Sequence, residues 1–279
     1  MNQIIASSNI ICTGESTFLT APNGAASYLW STGATTQVIE VFAGGNYSCT
    51  LTPFQGGGCD IVLDIDIIEN PSPTANFTSN TVVACVNDVI DFTDLSTIPN
   101  PGVITNYRWD FGDGTITPLS NGAIVAVPNT TGTYTAPSHT YTSSGVFNVE
   151  LYVESADGCS DFIIIPVTIN ALPLVVAGAD QTVCDGVAVS LNGAGASTYA
   201  WDNGVIDGVP FIQAVGTTTY TVIGTDANGC QNTDQVDVTV NPLPVVNAGL
   251  DQTLCVGPMI TLSASGANAY VWDLSLIHI

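Results

Sequence analysis

The chain has 279 residues, 46% apolar and only 9% charged, and Arg108 is the sole Lys or Arg against 24 acids, for a formal net charge of -23. So acidic a surface repels phosphate, which excludes nucleic acid as a partner and disfavours anionic membrane, while the apolar share is too high for an acidic disordered tail. No run of about 20 apolar residues is present to span a bilayer, and Met1 to Ser8 lacks the basic start and apolar core of a signal peptide, so the chain reads as a monomeric segment of a longer exported protein.

Residues 1–70 set a pattern. Ser16-Thr17-Phe18-Leu19-Thr20 and Thr36-Gln37-Val38-Ile39-Glu40-Val41 are short β-branched runs between Gly and Asn turns. In Tyr28-Leu29-Trp30-Ser31, a strand would point Tyr and Trp to one face and place two large side chains in one core. Tyr47, Cys49 and Leu51 alternate with Ser48, Thr50 and Thr52, and Ile61, Leu63, Ile65 and Ile67 with Asp60, Asp64 and Asp66. Alternation without a helical period predicts antiparallel sheets with one wet face.

The Tyr-x-Trp element returns as Tyr107-Arg108-Trp109-Asp110, Tyr199-Ala200-Trp201-Asp202 and Tyr270-Val271-Trp272-Asp273, and so takes up all four tryptophans. Cys12, Cys85, Cys184 and Cys255 each stand seven residues before an apolar residue and 17, 18 or, once, 24 residues before the Trp. Trp30, Trp109, Trp201 and Trp272 are therefore expected to centre the cores of tandem modules: β-sandwiches over 1–70, 71–171 and 172–242, and a truncated repeat over 243–273.

Modules of about 70 to 100 residues are marginally stable on burial alone. Eight cysteines supply the expected staples and point to an oxidising, extracellular or periplasmic setting. Pairing Cys12 with Cys59 would tie a first strand to a last one, and the same spacing pairs Cys85 with Cys159 and Cys184 with Cys230. Closing such a loop contributes about 4 kcal/mol in the chain-entropy model. Cys49 is left over and, aligned with Val222 of the third module, reads as a free core thiol, although Cys12 with Cys49 is an open rival pairing. Cys255 is left without its partner.

In the second module, Trp109-Asp110-Phe111-Gly112-Asp113-Gly114 is followed by Ser138-His139-Thr140-Tyr141, Gly145 and the alternating Phe147, Val149, Leu151 and Val153. This resembles the PKD domain, an immunoglobulin-like β-sandwich found in extracellular proteins. Ala75-Asn76-Phe77 and Val89-Ile90-Asp91-Phe92 suit the same family, and the resemblance covers about residues 72–171, with a Gly, Asn and Thr-rich insertion at 117–136 as its departure. It implies an all-β chain of tandem Ig-like and PKD sandwiches. Phe111 to Gly114 reads as a tight turn in which Gly supplies positive φ and Asp bonds nearby amides, and His139 as a residue bonded within the fold.

Residues 169–201 and 240–272 match at 16 of 33 positions without a gap, which shows duplication at a period of 71. With the first module they resemble the short Ig-like repeats that accompany PKD domains in large surface and secreted proteins of gliding, Bacteroidota-type bacteria. The linkers at 69–73, 170–173 and 241–244 are short and stiffened by proline. Beyond Asp273, Leu274-Ser275-Leu276-Ile277-His278-Ile279 is what a sequencing-library transposon adapter encodes, so residues 274–279 are expected to be adapter-derived and His278 carries no functional weight.

Catalysis needs a base beside a nucleophile, and His139 belongs to the PKD-like motif, so no catalytic residue and no enzyme activity is expected. Calcium is the one ligand that abundant carboxylates invite, with Asp91, Asp94, Asp110 and Asp113 as weak candidates, against turn-capping as their structural role. No other cofactor is expected. The loops Pro53 to Gly58 and Thr131 to Pro137 each carry one aromatic and are the places where extracellular glycans or proteins would be met. The expected role is that of a stalk or adhesion region, or else the spacer of a secreted hydrolase that degrades polysaccharide or protein.

Overall fold

Strict alternation of inward and outward side chains makes strands, and among the described residues strands occur without any helix. The computed structural model describes residues 3–54, 58–116, 137–253 and 259–273. It divides into two units, Met1–Ala171 and Leu172–Ile279.

The first unit holds two sandwiches. In one, β1 (Ile5–Ala6), β3 (Thr17–Thr20) and β5 (Val38–Val41) form a sheet in the order β1-β3-β5. It faces a second sheet of β2 (Ile10–Cys12), β7 (Ile61–Asn70), β6 (Gly45–Pro53) and β4 (Ala25–Trp30), in the order β2-β7-β6-β4. Leu19, Trp30, Ile39, Cys49, Leu51 and Ile67 meet between them. Asp64 and Asp66, one residue out of phase with Leu63, Ile65 and Ile67, stay exposed, as the pleat requires.

The other sandwich repeats the plan. Strands β8 (Phe77–Ser79), β10 (Val89–Asp94) and β12 (Ser138–Thr140) form one sheet, in the order β12-β10-β8. Strands β9 (Val83–Cys85), β11 (Ile104–Asp110), β13 (Gly145–Ser155) and β14 (Ser160–Asn170) form the other, in the order β11-β13-β14-β9. Val149, Leu151 and Val153 of β13 are fully buried against Trp109, Phe77 and Phe92.

The second unit contains one sandwich. Its larger sheet has the order β15-β20-β19-β17, from β15 (Gln181–Cys184), β17 (Thr198–Trp201), β19 (Gly216–Thr225) and β20 (Gln231–Asn241). A two-stranded sheet of β16 (Ala188–Val189) and β18 (Phe211–Ile212) faces it. Val222, Val236 and Val238 pack around Trp201 and Tyr220.

Trp30, Trp109 and Trp201 are buried as expected, and the Trp30 and Trp201 indole N–H groups donate to the Thr36 carbonyl and the Asp207 carboxylate. Trp272 corrects the fourth expectation: it is 44% exposed. In the third module the hairpin β19–β20, which follows Trp201 in sequence, covers that indole. Among the described residues of 243–273 there is no strand, and the one β-bridge joins Asn247 to Ser265. The expectations for Cys255, His278 and the remainder of 274–279 lie outside the described residues.

One departure from the predicted antiparallel sheets governs the rest. The first strand of each large sheet runs parallel to the last: β2 with β7, β9 with β14, and β15 with β20. A module that takes in its chain at one pole and releases it at the opposite pole needs first and last strands pointing the same way. We call these the leading and trailing poles. The parallel register sets Cys12 opposite Asn70, Cys85 opposite Asn170 and Cys184 opposite Asn241, all at the trailing pole. Cys59, Cys159 and Cys230 precede β7, β14 and β20, so they belong to the leading pole.

The expected clasps within modules are therefore not formed. The last strands are 10, 11 and 11 residues long, about 35 Å at ~3.4 Å per residue, whereas the Cα atoms of a disulfide lie within about 7 Å. Cys12 bonds Cys159 instead, with a Cα–Cα distance of 5.6 Å, which excludes both Cys12–Cys59 and Cys85–Cys159. Cys85 and Cys230 are disulfide-bonded. Cys184 is free and exposed, so Cys184–Cys230 is also not formed. Cys49 is the buried free thiol expected of it, opposite Trp30 where Val222 lies opposite Trp201, and the rival Cys12–Cys49 pairing is excluded.

Candidate functional site

The junction between the first two modules is built from the linker outward. Asn70 ends β7, and its carbonyl accepts hydrogen bonds from the Thr13 N–H (2.9 Å) and hydroxyl (3.2 Å). Ser72 donates to the Thr13 carbonyl at 3.0 Å, which lays the linker against the trailing pole of the first module. On the far side, the Ala75 N–H donates to Asp161 of β14 at 2.8 Å. Cys159 stands two residues before Asp161, so the same strand start that anchors the incoming chain also brings its sulfur to Cys12.

The tight β13–β14 turn aims that sulfur. Gly158 takes φ +83°, and the Ser155 hydroxyl accepts from the Cys159 N–H at 3.1 Å. Cys159 is fully buried. The second unit repeats the anchor: the Ala177 N–H donates to Asp234 at 2.8 Å, and Asn232 donates to the Pro173 carbonyl at 3.0 Å. Those two backbone and carboxylate contacts are the junction residues that reasoning from sequence missed. The available signal was topological, since a chain passing through each module from pole to pole implies the parallel first strand.

At the trailing pole of the PKD-like module lies the second cluster. After β11, Asp110 accepts from the Gly112 N–H at 2.9 Å and Asp113 from the Thr115 N–H at 2.9 Å, forming the expected tight turn. The other Asp113 oxygen meets His139 Nε2 at 2.8 Å. The imidazole stacks on Phe111, with centroids 4.1 Å apart and planes 4° apart, and meets Tyr141 edge-on. The Tyr141 hydroxyl donates to the Phe111 carbonyl at 2.9 Å.

Burial alone would raise the Asp113 carboxyl, but hydrogen bonds from His139 and Thr115 outweigh it and hold the group below its usual range. Burial, followed by the charges of Asp113 and Asp110, pushes the Tyr141 phenol up, so it stays a neutral donor. This is an interlocked turn, with His139 in the structural role expected of it.

The four calcium candidates do not converge. Asp110 and Asp113 serve the turn just described, Asp94 accepts from the Ser96 N–H at 2.8 Å, and Asp91 lies opposite Ser138 in the sheet. Among the described residues, no three His, Cys, Asp or Glu side chains are grouped to hold a metal ion. Three of the four carboxylates accept hydrogen bonds from backbone amides two residues on, and those caps are spread over both sheets.

Of the two loops, Phe54 is 68% exposed at the leading pole of the first module. Beside it is an apolar hollow of about 150 Å³ lined by Pro22, Ala25, Leu51, Pro53, Ile61 and Leu63. Residues 55–57 and 131–136, which carry the rest of these loops, lie outside the described residues.

Residues 70–169 match the family model described as PKD domain. This segment is a PKD domain. The PKD domain carries the Asp113–His139 turn and receives the bridge from Cys12, and tandem Ig-like sandwiches accompany it in the chain. A microbial collagenase of Vibrio alginolyticus is 31% identical over 106 residues, which is 38% of this chain and 11% of the collagenase. The chain thus spans about a tenth of the length of that curated relative. The crystal structure of the PKD1 domain of Vibrio anguillarum Epp is 24% identical, covering 37% of this chain and 99% of that one, with a TM-score of 0.28. The eight N-terminal Ig domains of Down Syndrome Cell Adhesion Molecule are 12% identical, covering 83% of this chain and 35% of that one, with a TM-score of 0.46.

Proposed function

We propose that this chain is a non-catalytic, extracellular repeat region that acts as a stalk and adhesion module, holding other domains of a bacterial surface or secreted protein at a distance and meeting glycans or proteins at its module ends. The setting would be the large proteins of gliding, Bacteroidota-type bacteria in which such repeats accompany PKD domains. The observation that carries the reading is the Cys12–Cys159 bridge, because it makes the junction between two modules covalent where a linker alone would leave a hinge. A bond of this kind also needs an oxidising compartment to persist. Excess negative charge would limit non-covalent self-association.

Pulling the chain by its ends tests the mechanical role. The bridge closes a segment with a sequence separation of 147, and at about 3.4 Å per extended residue this hides roughly 500 Å of contour length from the applied force. That length is expected to appear only after reductant is added. Equal extension with and without reductant would overturn the reading.

A second reading is favoured by the collagenase match: the region would be the accessory spacer of a secreted hydrolase. Glycan and collagen arrays probed with the purified chain separate the two. Binding that is lost in Phe54→Ala would support contacts through module ends, as an adhesin requires, and silence on both arrays would support the spacer.

A further inference from the structure

Cys12, Cys85 and Cys184 occupy one and the same backbone position. Each ends the first strand opposite the terminal Asn of the last strand, and the N–H of the following residue, Thr13, Val86 or Asp185, donates to the carbonyl of that Asn at 2.9 to 3.0 Å. Each cysteine carbonyl then accepts a turn-closing bond, from Glu15, Asp88 or Val187. Cys12 and Cys85 are in disulfides. Cys184 is exposed with its thiol free.

The turn cysteines form a second equivalent set: Gly58-Cys59, Gly158-Cys159 and Gly229-Cys230, each just ahead of a last strand. Cys159 and Cys230 are bonded, and Cys59 is exposed and free. The Cys12–Cys159 bridge shows what the two sets do: the trailing-pole cysteine of one module takes the leading-pole cysteine of another. The described free thiols thus comprise one unfilled half of each kind, plus Cys49, which is sealed in a core where burial pushes its thiol up.

We propose that Cys184 and Cys59 are complementary half-sites for covalent linkage between modules, Cys184 accepting the Gly-Cys turn thiol of a further module of this kind and Cys59 accepting a first-strand cysteine. This goes beyond the stalk reading and holds equally for a spacer. In the test below a second copy of the chain supplies the further module. With oxidised glutathione as oxidant, the Cys184 thiolate attacks the glutathione disulfide and expels one glutathione thiolate. The Cys59 thiolate of the other copy then attacks the Cys184 sulfur and expels the second. Two protein thiols are oxidised, and one glutathione disulfide is reduced to two thiols, which carry away the protons.

A heterologous pair of this kind does not close on itself, so copies should add head to tail. The whole chain in glutathione buffer is expected to give a ladder of dimers, trimers and larger species on non-reducing gels, with Cys59–Cys184 peptides joining copies in the digest. Cys59→Ser alone and Cys184→Ser alone should each remain monomeric. Mixed in equal amounts, they should give dimers only, joined Cys59 to Cys184 and forming at least about tenfold faster than any residual dimer from either variant alone, because exposed thiols without a matching site react only as their thiolate fraction, nucleophilicity and access allow. Both positions are exposed, and unchanged melting temperatures of the two variants would verify that neither substitution disturbs the fold. Equal rates in the mixture and in the single variants, symmetric Cys59–Cys59 or Cys184–Cys184 bridges, or a mixture that stays monomeric would each overturn the assignment.

Discussion

At the scale of single residues, His139 locks a turn. Its Nε2 holds Asp113, its ring lies on Phe111, and Tyr141 closes the same turn from the other side. Replacing His139 by Ala removes a charge-assisted bond and one of the two rings stacked on Phe111, so the PKD domain should lose about 1–3 kcal/mol in urea unfolding. The pH dependence follows from the depressed Asp113 carboxyl. A group whose folded pKa lies below its unfolded value, about 3.9 for Asp, stabilises the fold at every pH above that value. The contribution is lost as pH falls through the lower folded pKa. Melting temperature is thus expected to drop below about pH 4, and Asp113→Asn should flatten that part of the profile while lowering stability at neutral pH.

At the scale of elements, the turn after β11 depends on glycine for two different reasons. A Cβ at Gly112, where φ is +76°, would come within 2.8 to 2.9 Å of the Asn148 backbone, whereas a Cβ at Gly114, where φ is +90°, would meet nothing within 4 Å. Gly114→Ala should therefore cost only the left-handed backbone penalty of about 1–2 kcal/mol. Gly112→Ala should cost that and an overlap no rotamer relieves, and thermal unfolding of the two variants should rank them in that order. Strand β6 allows a milder exchange. Cys49 faces Trp30 where the third module has Val222 against Trp201, so Cys49→Val should change stability by less than about 1.5 kcal/mol.

At the scale of the molecule, the parallel pairing of first and last strands decides how modules are joined. Because the trailing end of β2 lies where the chain leaves, its cysteine reaches forward to the next module rather than back along its own sheet. Closing a loop of 147 residues contributes about 5 kcal/mol in the chain-entropy model when both modules unfold together. Cys12→Ser should remove that coupling. Calorimetry of the wild type is then expected to show one joint transition for the first two modules, and the variant two separate ones at lower temperature.

The three tryptophan-centred cores, the Asp-Phe-Gly-Asp-Gly turn, the structural place of His139 and the buried Cys49 thiol were all legible in the chain itself. Each is set by alternation, by spacing or by a local turn, and such terms act between residues a few positions apart or across one hairpin. Trp272 differs from Trp201 because the hairpin β19–β20 covers the Trp201 indole, whereas no described strand covers Trp272, and a motif reports its own residues but not what packs over them. Which cysteine meets which was decided only in three dimensions. Spacing measures separation along the chain, whereas a disulfide needs two sulfurs at the same pole, and the direction in which β2 runs beside β7 is a property of the assembled sheet.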